Sequence, residues 1–170
     1  MPVLRITKHG ERVLKTACPP ADFEGLKPEL PALLKSMWAT MNAARGVGLA
    51  APQVGRSLRL AIIDVRPEGK SERLVLINPE ILSREGELND EEGCLSLPGI
   101  YSKLKRAAKV RVRALDENGK VWERVGEGLL ARAFQHEIDH LDGKLYVDRL
   151  PFEDRLRVLD AVREAKVRWG

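Results

Sequence analysis

Residues 128–143, GLLARAFQHEIDHLDG, decide the architecture of this 170-residue chain. Apolar side chains recur at helical spacing between residues 127 and 142 and form one stripe, made of Leu130, Ala133, Phe134, Ile138 and Leu141. Gly143 follows where a glycine commonly ends a helix. The pattern predicts a buried helix that carries the motif QHEIDH.

Two histidines of this helix predict a metal site. His136 and His140 are four residues apart, so they share a helix face and both imidazoles can reach one ion. Glu137 follows the first histidine directly and can address a water molecule on that ion, as in hydrolytic metal sites. The alternative is a chance set of polar residues on a solvated helix face, which the predicted burial of the helix disfavours.

The third ligand is less evident from this region. A catalytic metal usually has three protein ligands and an open position. Tyr146 occupies the place where the long metalloprotease motif has a third histidine. Several carboxylates follow, at Asp148, Glu153, Asp154, Asp160 and Glu164. The favoured candidate is Cys94, in the predicted loop EGCLSLPG of residues 92–99. A free cysteine can also be a small buried hydrophobic residue, which is the interpretation that we give to Cys18.

A third segment, GVGLAAPQVG at residues 46–55, is rich in glycine and proline and is predicted to be a loop. It lacks the lysine and serine or threonine of a phosphate-binding loop. Gln53 is a neutral amide among small and apolar residues, so it could donate a hydrogen bond to a polarised carbonyl oxygen.

The remaining pattern predicts an α+β fold in a single domain of residues 1–170. Helices are predicted at residues 30–41 and 152–169, and strands at residues 58–65, 73–79, 109–115 and 121–125. The strands follow one another as antiparallel neighbours, and Asn118-Gly119 is a strong hairpin signal between the last two. We expect antiparallel or mixed sheets packed around the central helix, with an N-terminal and a C-terminal helix.

The amino-acid composition disfavours several classes of function. The chain has 29 basic and 25 acidic residues, a net charge of +4 and 5% aromatic residues. Sequence-specific nucleic-acid binding is therefore disfavoured, since its basic residues cluster beside stacking aromatics. No stretch approaches the roughly 20 apolar residues that span a bilayer. The first residues are too charged for a secretory signal. A soluble cytoplasmic protein with both cysteines reduced is expected.

The three motifs GVGLAAPQVG, EGCLSLPG and QHEIDH, in this order, closely resemble the signature motifs of the peptide deformylases. The resemblance extends to KHGERVLKTACPP at residues 8–20 and INPEI at residues 77–81. The helical C-terminus resembles the first bacterial class of the family. The resemblance implies an enzyme that removes the formyl group from the N-terminal formylmethionine of newly made polypeptides and releases formate.

The resemblance also implies roles for particular residues. The implied metal ligands are Cys94, His136 and His140. A metal-bound water would attack the formyl carbon, with Glu137 as general acid and base. Gln53 and the backbone amide of Leu95 are the implied oxyanion donors. The family uses one divalent metal per chain, typically Fe²⁺ in the cell, and accepts Ni²⁺, Co²⁺ or Zn²⁺.

Substrate contacts and partners follow from the same resemblance. The substrate methionine is expected in an apolar pocket formed by Val47, Leu129, Ala133 and His136. Backbone groups of Val47, Gly48 and Gly99 are expected to bind the extended peptide, and Glu92 and Arg106 match a structural ion pair. Two residues depart from the family pattern, namely Tyr101, where some members have arginine, and Arg132, at a pocket edge that can be aliphatic.

The basic C-terminal helix has two interpretations. Its cations are Arg155, Arg157, Arg163, Lys166 and Arg168. Taken alone, they indicate a solvated helix face, whereas the resemblance suggests docking on the ribosome.

Two other functions stay open. A zinc peptidase would share the activated water, but Tyr146 and the upstream Cys94 count against it. A binding module with a structural zinc site would need a fourth ligand, and only His9 and Cys18 are spare.

Overall fold

The computed structural model describes residues 2–169, so residues 1 and 170 of the predicted domain lie outside it. The described part contains, in chain order, helices α1 (Phe23–Leu26) and α2 (Leu30–Ala43), strands β1 (Gly48–Ala50), β2 (Leu60–Ile63), β3 (Leu74–Glu85), β4 (Leu88–Cys94), β5 (Leu97–Arg106), β6 (Lys109–Leu115) and β7 (Val121–Glu127), and helices α3 (Gly128–Leu141) and α4 (Phe152–Trp169). Short 3₁₀ helices lie at Arg12–Lys15, Ala51–Val54, Pro67–Gly69 and Tyr146–Arg149.

The strands form two antiparallel sheets. The larger sheet has the order β1-β2-β3-β6-β7, and β4 and β5 pair in a separate hairpin. Every pairing between these strands is antiparallel. The predicted α+β architecture is therefore confirmed.

The large sheet is covered by helices on both faces where β1, β2 and β3 lie. Successive side chains of β2 alternate, so that Ala61 and Ile63 pack toward α3 while Leu60 and Ile62 pack toward α2. All four are fully buried. This is why β2 is apolar along its whole length instead of alternating with polar residues. Helix α3 is thus central, as expected from its apolar stripe.

A third core fixes the hairpin. Leu97, Ile100 and Leu104 of β5 pack against Val158 and Val162 of α4. The C-terminal helix therefore covers the hairpin that follows Cys94 in sequence. In the described part of the chain, no helix combines the length and the apolar composition needed to cross a membrane.

The structure corrects two predicted loops. Residues 46–55 contain β1 and a 3₁₀ helix, so the prediction of a loop without regular structure was wrong. Residues 92–99 were also predicted as a loop, yet residues 92–94 end β4 and residues 97–99 begin β5. β4 lacked a strand signal because its one fully buried residue is the charged Glu92.

Other element boundaries differ from the predictions by a few residues. β3 extends to Glu85 rather than to residue 79, and β2 is shorter than the predicted 58–65. Helices α2, α3 and α4 lie within two residues of the predicted bounds.

Packing of Phe134 offers a test of the central position of α3. Its ring is fully buried and lies 6.2 Å from that of Trp122, centroid to centroid. We expect Phe134→Ala to lower the free energy of unfolding by about 3–5 kcal/mol, because it removes a large side chain from a closed core. Urea denaturation measures this. Val121→Ala, at a side chain that is 65% exposed, is the control and should change it by less than about 0.5 kcal/mol. Equal losses in both variants would contradict the assignment.

Candidate metal centre

Helix α3 and the end of β4 bring three ligand atoms together. The Nε2 atoms of His136 and His140 are 3.2 Å apart, and the Sγ atom of Cys94 lies 3.4 Å from Nε2 of His140. All three atoms lie within 4.8 Å of one another. His140 is buried, and the other two side chains are partly accessible.

The two distances to Nε2 of His140, 3.2 and 3.4 Å, fit a tetrahedral ion. With metal–sulfur bonds of about 2.3 Å and metal–nitrogen bonds of about 2.0–2.1 Å, neighbouring ligand atoms are separated by roughly 3.3–3.6 Å. One thiolate and two imidazoles suit Zn²⁺, Co²⁺, Ni²⁺ or Fe²⁺ better than Mg²⁺ or Ca²⁺, which prefer oxygen. Three protein ligands leave one tetrahedral position for water or substrate, which is typical of a catalytic site rather than a structural one.

The position of Cys94 follows from the local chain geometry. Cys94 pairs with Leu97 across the two-residue turn of Leu95 and Ser96, and the strand register shifts between Gly93 and Cys94. A Cβ atom on Gly93 would lie 2.5 Å from the ring of Tyr101, its partner on β5, so glycine at this position leaves room for that ring. The backbone amide of Ser96 donates to the sulfur at 3.5 Å. The turn therefore holds Cys94 toward α3.

Glu92 is the buried carboxylate beneath the site. Its Oε2 accepts hydrogen bonds from Nδ1 of His136 at 2.6 Å and from Nη2 of Arg106 at 2.7 Å. Burial alone would raise the pKa of Glu92. The hydrogen bonds and charges of His136 and Arg106 outweigh that effect, so the pKa of Glu92 lies far below its ordinary value. Because His136 uses Nδ1 toward Glu92, its Nε2 is available to a metal.

Asp139 extends this ionic cluster to the other side of α3. It accepts hydrogen bonds from Nη1 of Arg106 at 2.7 Å and from Nη2 of Arg149 at 2.9 Å. Arg106 therefore bridges two buried carboxylates, Glu92 and Asp139. The expected proximity of Glu92 and Arg106 is present in the structure as this buried ion pair.

Glu137 occupies a buried position beside the three ligand atoms. Its side chain is 3% exposed, and its Oε1 atom has no hydrogen-bond partner in the structure. Burial raises the pKa of Glu137 to about 7, and the charge of His136 opposes that shift. A Cβ atom on Gly48 would lie 2.5 Å from Oε2 of Glu137, so β1 and α3 meet closely only because residue 48 is glycine. The free carboxyl oxygen is suited to accept or donate a proton.

Gln53 lies next to the sulfur and has a fixed orientation. Its Oε1 accepts a hydrogen bond from the backbone amide of Ala50 at 3.0 Å. That bond leaves Nε2 as the end facing the site, where it lies 3.6 Å from Sγ of Cys94 and 3.2 Å from Oγ of Ser96. The side-chain amide is therefore held with its N–H donors at the metal centre.

A cavity of about 470 Å³ opens onto these groups. The predicted site residues that line it are Val47, Gly48, Gln53, Glu92, Cys94, Leu95, Gly99, Tyr101, Leu129, Arg132, Ala133, His136 and Glu137. His140 and Arg106 do not line it, since His140 lies behind the other ligands and Arg106 lies beneath Glu92. Leu129 and Val47, at the mouth, are 54% and 41% exposed.

Sequence reasoning missed part of this cluster. Arg132 was placed at a pocket edge, but its guanidinium turns inward and pairs with Glu92 at 2.8 Å. Its spacing of four residues before His136 puts both on one helix face, and this was the available signal. The roles of Ser96 and Asp139 depend on contacts across the fold, and no sequence pattern marked them.

Similarity to known proteins identifies the family of this chain. The family model described as polypeptide deformylase matches residues 3–155. The chain belongs to the peptide deformylase family. Members are hydrolases that remove formyl groups from nascent peptides, and they depend on a metal. The resemblance inferred from the three motifs is confirmed.

Individual relatives agree over nearly the whole chain. A peptide deformylase of Alkalilimnicola ehrlichii is 46% identical over 163 residues, covering 94% of this chain and 90% of that protein. The crystal structure of the deformylase from Legionella pneumophila has a TM-score of 0.89 at 46% identity, covering 97% of this chain and 96% of its own. The Synechococcus elongatus deformylase in complex with actinonin has a TM-score of 0.87 at 40% identity, covering 98% and 89%.

Metal binding can be tested apart from catalysis. We expect one divalent ion per chain, and we expect Cys94→Ala or His140→Ala to lose it, because two remaining ligands bind a metal weakly. Equilibrium dialysis with metal analysis measures the stoichiometry. Cys18→Ala removes the other free thiol and should retain full loading. Loss of metal from the Cys18 variant with full retention in the Cys94 variant would contradict the ligand set.

Proposed function

We propose that the chain removes the N-formyl group from the N-terminal formylmethionine of newly made polypeptides and releases formate. The observation that supports this most is the buried Glu137 carboxyl, which has an unpartnered oxygen beside the three-atom ligand set and lines the same cavity as Cys94 and His136. Family membership provides the reaction class. We propose that one catalytic domain carries the whole site, and that it acts in the cytoplasm on nascent chains.

Cys94, His136 and His140 are the proposed ligands of one divalent metal. When bound, such an ion lowers the pKa of a water molecule and polarises a carbonyl oxygen. We propose Fe²⁺ as the metal in the cell and Ni²⁺, Co²⁺ or Zn²⁺ as competent substitutes. Glu92 supports the centre by accepting the Nδ1 proton of His136.

Glu137 moves the proton in this proposal. It accepts a proton from the water that attacks the formyl carbon, as a new carbon–oxygen bond forms. The carbon–nitrogen bond then breaks, and Glu137 delivers the proton to the departing amine, which leaves poorly as an anion. The products are formate and a free N-terminal methionine. No other carboxyl group of the described residues lines the cavity with a free buried oxygen.

Gln53 and the backbone amide of Leu95 are the proposed donors to the formyl oxygen as it gains negative charge. The hydrogen bond from Ala50 fixes the Gln53 amide, so that no reorientation is needed during the reaction. Leu95 follows Cys94 in the turn and lines the same cavity. Donors that are fixed in advance stabilise charge more effectively than mobile ones.

The shape of the cavity is the proposed basis of selectivity for an N-terminal methionine. We place the methionine side chain in the apolar part of the cavity, against Val47, Leu129, Ala133 and the ring of His136. β1 is an edge strand of the large sheet, so one side of its backbone has no partner strand within residues 2–169. An extended peptide can therefore pair with Val47 and Gly48, and Gly99 and Tyr101 are the proposed contacts across the cleft.

Ribosome docking through α4 is a further part of the proposal. The five basic side chains of α4 are all exposed, which supports a contact with phosphate groups. Three of them also contact groups of the protein itself. Arg157 donates to Ser102 at 2.8 Å, Arg155 donates to the carbonyl of Asp148 at 3.1 Å, and Arg163 pairs with Asp160 at 3.2 Å.

Formate release tests the proposed reaction. Protein loaded anaerobically with Fe²⁺ should release formate from formyl-Met-Ala-Ser, measured with a coupled dehydrogenase. Glu137→Gln should lower kcat by about 10²–10⁴-fold, because the proton carrier is lost, while metal loading persists. Glu164→Gln, on the exposed face of α4, is the control and should match the parent. A metal-loaded parent without formate release, or a fully active Glu137 variant, would refute the proposal.

Gly48 tests the placement of Glu137. In Gly48→Ala, the added methyl group would overlap Oε2 of Glu137 and displace the carboxyl group. We expect kcat to fall roughly 10²-fold, since a shift of about 1 Å in a catalytic group has this effect. Steady-state kinetics at saturating metal measures it. Gly69 has a φ of +77° and nothing within 4 Å of an added methyl group, so Gly69→Ala strains only its own loop and should keep the parent kcat. An unchanged kcat in Gly48→Ala would show that Glu137 has room to adjust.

A further inference from the structure

Arg132 is a buried cation whose contacts all lie within the protein. It is 6% exposed, and its Nη1 donates to Oε1 of Glu92 at 2.8 Å. Its Nη2 donates to the carbonyl oxygens of Leu88 and Leu104, at 3.2 and 3.0 Å. These three acceptors belong to the two strands of the hairpin, whereas Arg132 belongs to α3. One side chain thus joins both elements that carry the metal ligands.

Each of the two oxygens of Glu92 has two hydrogen-bond donors, and Arg132 is one of the two on Oε1. Oε1 accepts from Arg132 and from Nε of Arg106, and Oε2 accepts from Nη2 of Arg106 and from His136. Arg106 is shared, since its Nη1 bonds to Asp139 at 2.7 Å. Arg132 has no second carboxylate partner among the described residues. It therefore anchors Oε1 and leaves Oε2 directed at His136.

Arg132 is not arranged to bind substrate through its charge. It lines the cavity, but its guanidinium donates to one carboxylate and two carbonyls within the protein. What it can present to a ligand is its aliphatic stem, beside Leu129 and Ala133. An effect of its charge on the site must therefore act through Glu92.

We propose that Arg132 is a positioning residue, which holds the Glu92 carboxylate so that the His136 imidazole keeps its Nε2 directed at the metal site. The role in catalysis rests on the proposed function, whereas the role in metal binding does not. The metal affinity of this chain then depends on a cation that lies outside the ligand set.

Metal affinity is the first measurement. Apo protein is titrated with Co²⁺ in competition with a chelator, and circular dichroism checks that each variant is folded. Arg132→Met keeps the stem and removes the guanidinium, so we expect about 10–100-fold weaker binding, the usual effect of losing support for a metal-bound histidine. Arg132→Lys keeps the positive charge but loses the planar guanidinium group with its several N–H donors. Its Co²⁺ affinity should therefore lie between those of the parent and of Arg132→Met.

Arg59 provides a matched control. It also donates to two backbone carbonyls, of Leu141 at 3.1 Å and Cys18 at 3.4 Å, and pairs with the carboxylate of Asp142 at 2.9 Å. It contacts the end of α3 but not Glu92. Arg59→Met should therefore lower stability without changing Co²⁺ affinity by more than about twofold. Equal affinity losses at both arginines would reduce Arg132 to a structural role and overturn the proposal.

A double-mutant comparison tests whether Arg132 affects metal binding through Glu92. In a Glu92→Gln background, the further change Arg132→Met should alter Co²⁺ affinity less than about threefold, because the positioned carboxylate is already gone. At saturating metal, Arg132→Met should lower kcat for the formyl peptide and leave KM within about twofold of the parent. An equally large loss of Co²⁺ affinity in the Glu92→Gln background would show that Arg132 does not act through Glu92.

The outcomes separate the two proposals. Parent affinity in a folded Arg132→Met protein overturns the positioning role, whatever the activity. If Arg132→Met does not fold, parent affinity in Arg132→Lys overturns it. If Arg132→Met weakens metal binding, the positioning role is supported. If the parent protein also releases no formate, the proposed function is refuted.

Discussion

The buried carboxylate of Glu92 is the contact on which the site depends. It joins the two elements that carry the metal ligands, because it accepts hydrogen bonds from Arg132 and His136 on the helix and from Arg106 on β5. A carboxylate in this setting is stable only while its partners are complete, since removing one partner of a buried ion pair costs about 3–5 kcal/mol. Cys94 follows two residues after Glu92, so fixing this carboxylate also fixes the spacing between the sulfur and the imidazoles.

The rest of the fold keeps these two elements in place. β2 is apolar on both faces and lies between α2 and α3, which gives the helix a rigid support. The hairpin is held from the other side by α4. β1 then approaches α3 closely enough for Gly48 to meet Glu137. The three candidate ligands, the Glu137 carboxyl group and the edge strand β1 are thus positioned by separate parts of the core.

The sequence predicted the features that depend on local spacing. The stripe of α3 and the four-residue interval between His136 and His140 are set by helix geometry, and the structure brings their Nε2 atoms together. The hairpin was missed because β4 buries a charged residue, Glu92, where a strand pattern requires an apolar one. The contacts of the Arg132 guanidinium were not predicted, because its three acceptors lie 28 to 44 residues away in sequence. Such contacts become visible only when the chain is folded.

The most direct test of this account is an X-ray absorption spectrum of the protein loaded with one Co²⁺ per chain. The account predicts one sulfur at about 2.3 Å and two imidazole nitrogens at about 2.0–2.1 Å, with a light atom from solvent in the fourth position. Cys94→Ala should remove the sulfur signal. A first shell without sulfur, or one filled by four protein ligands, would contradict the open catalytic centre on which the account rests.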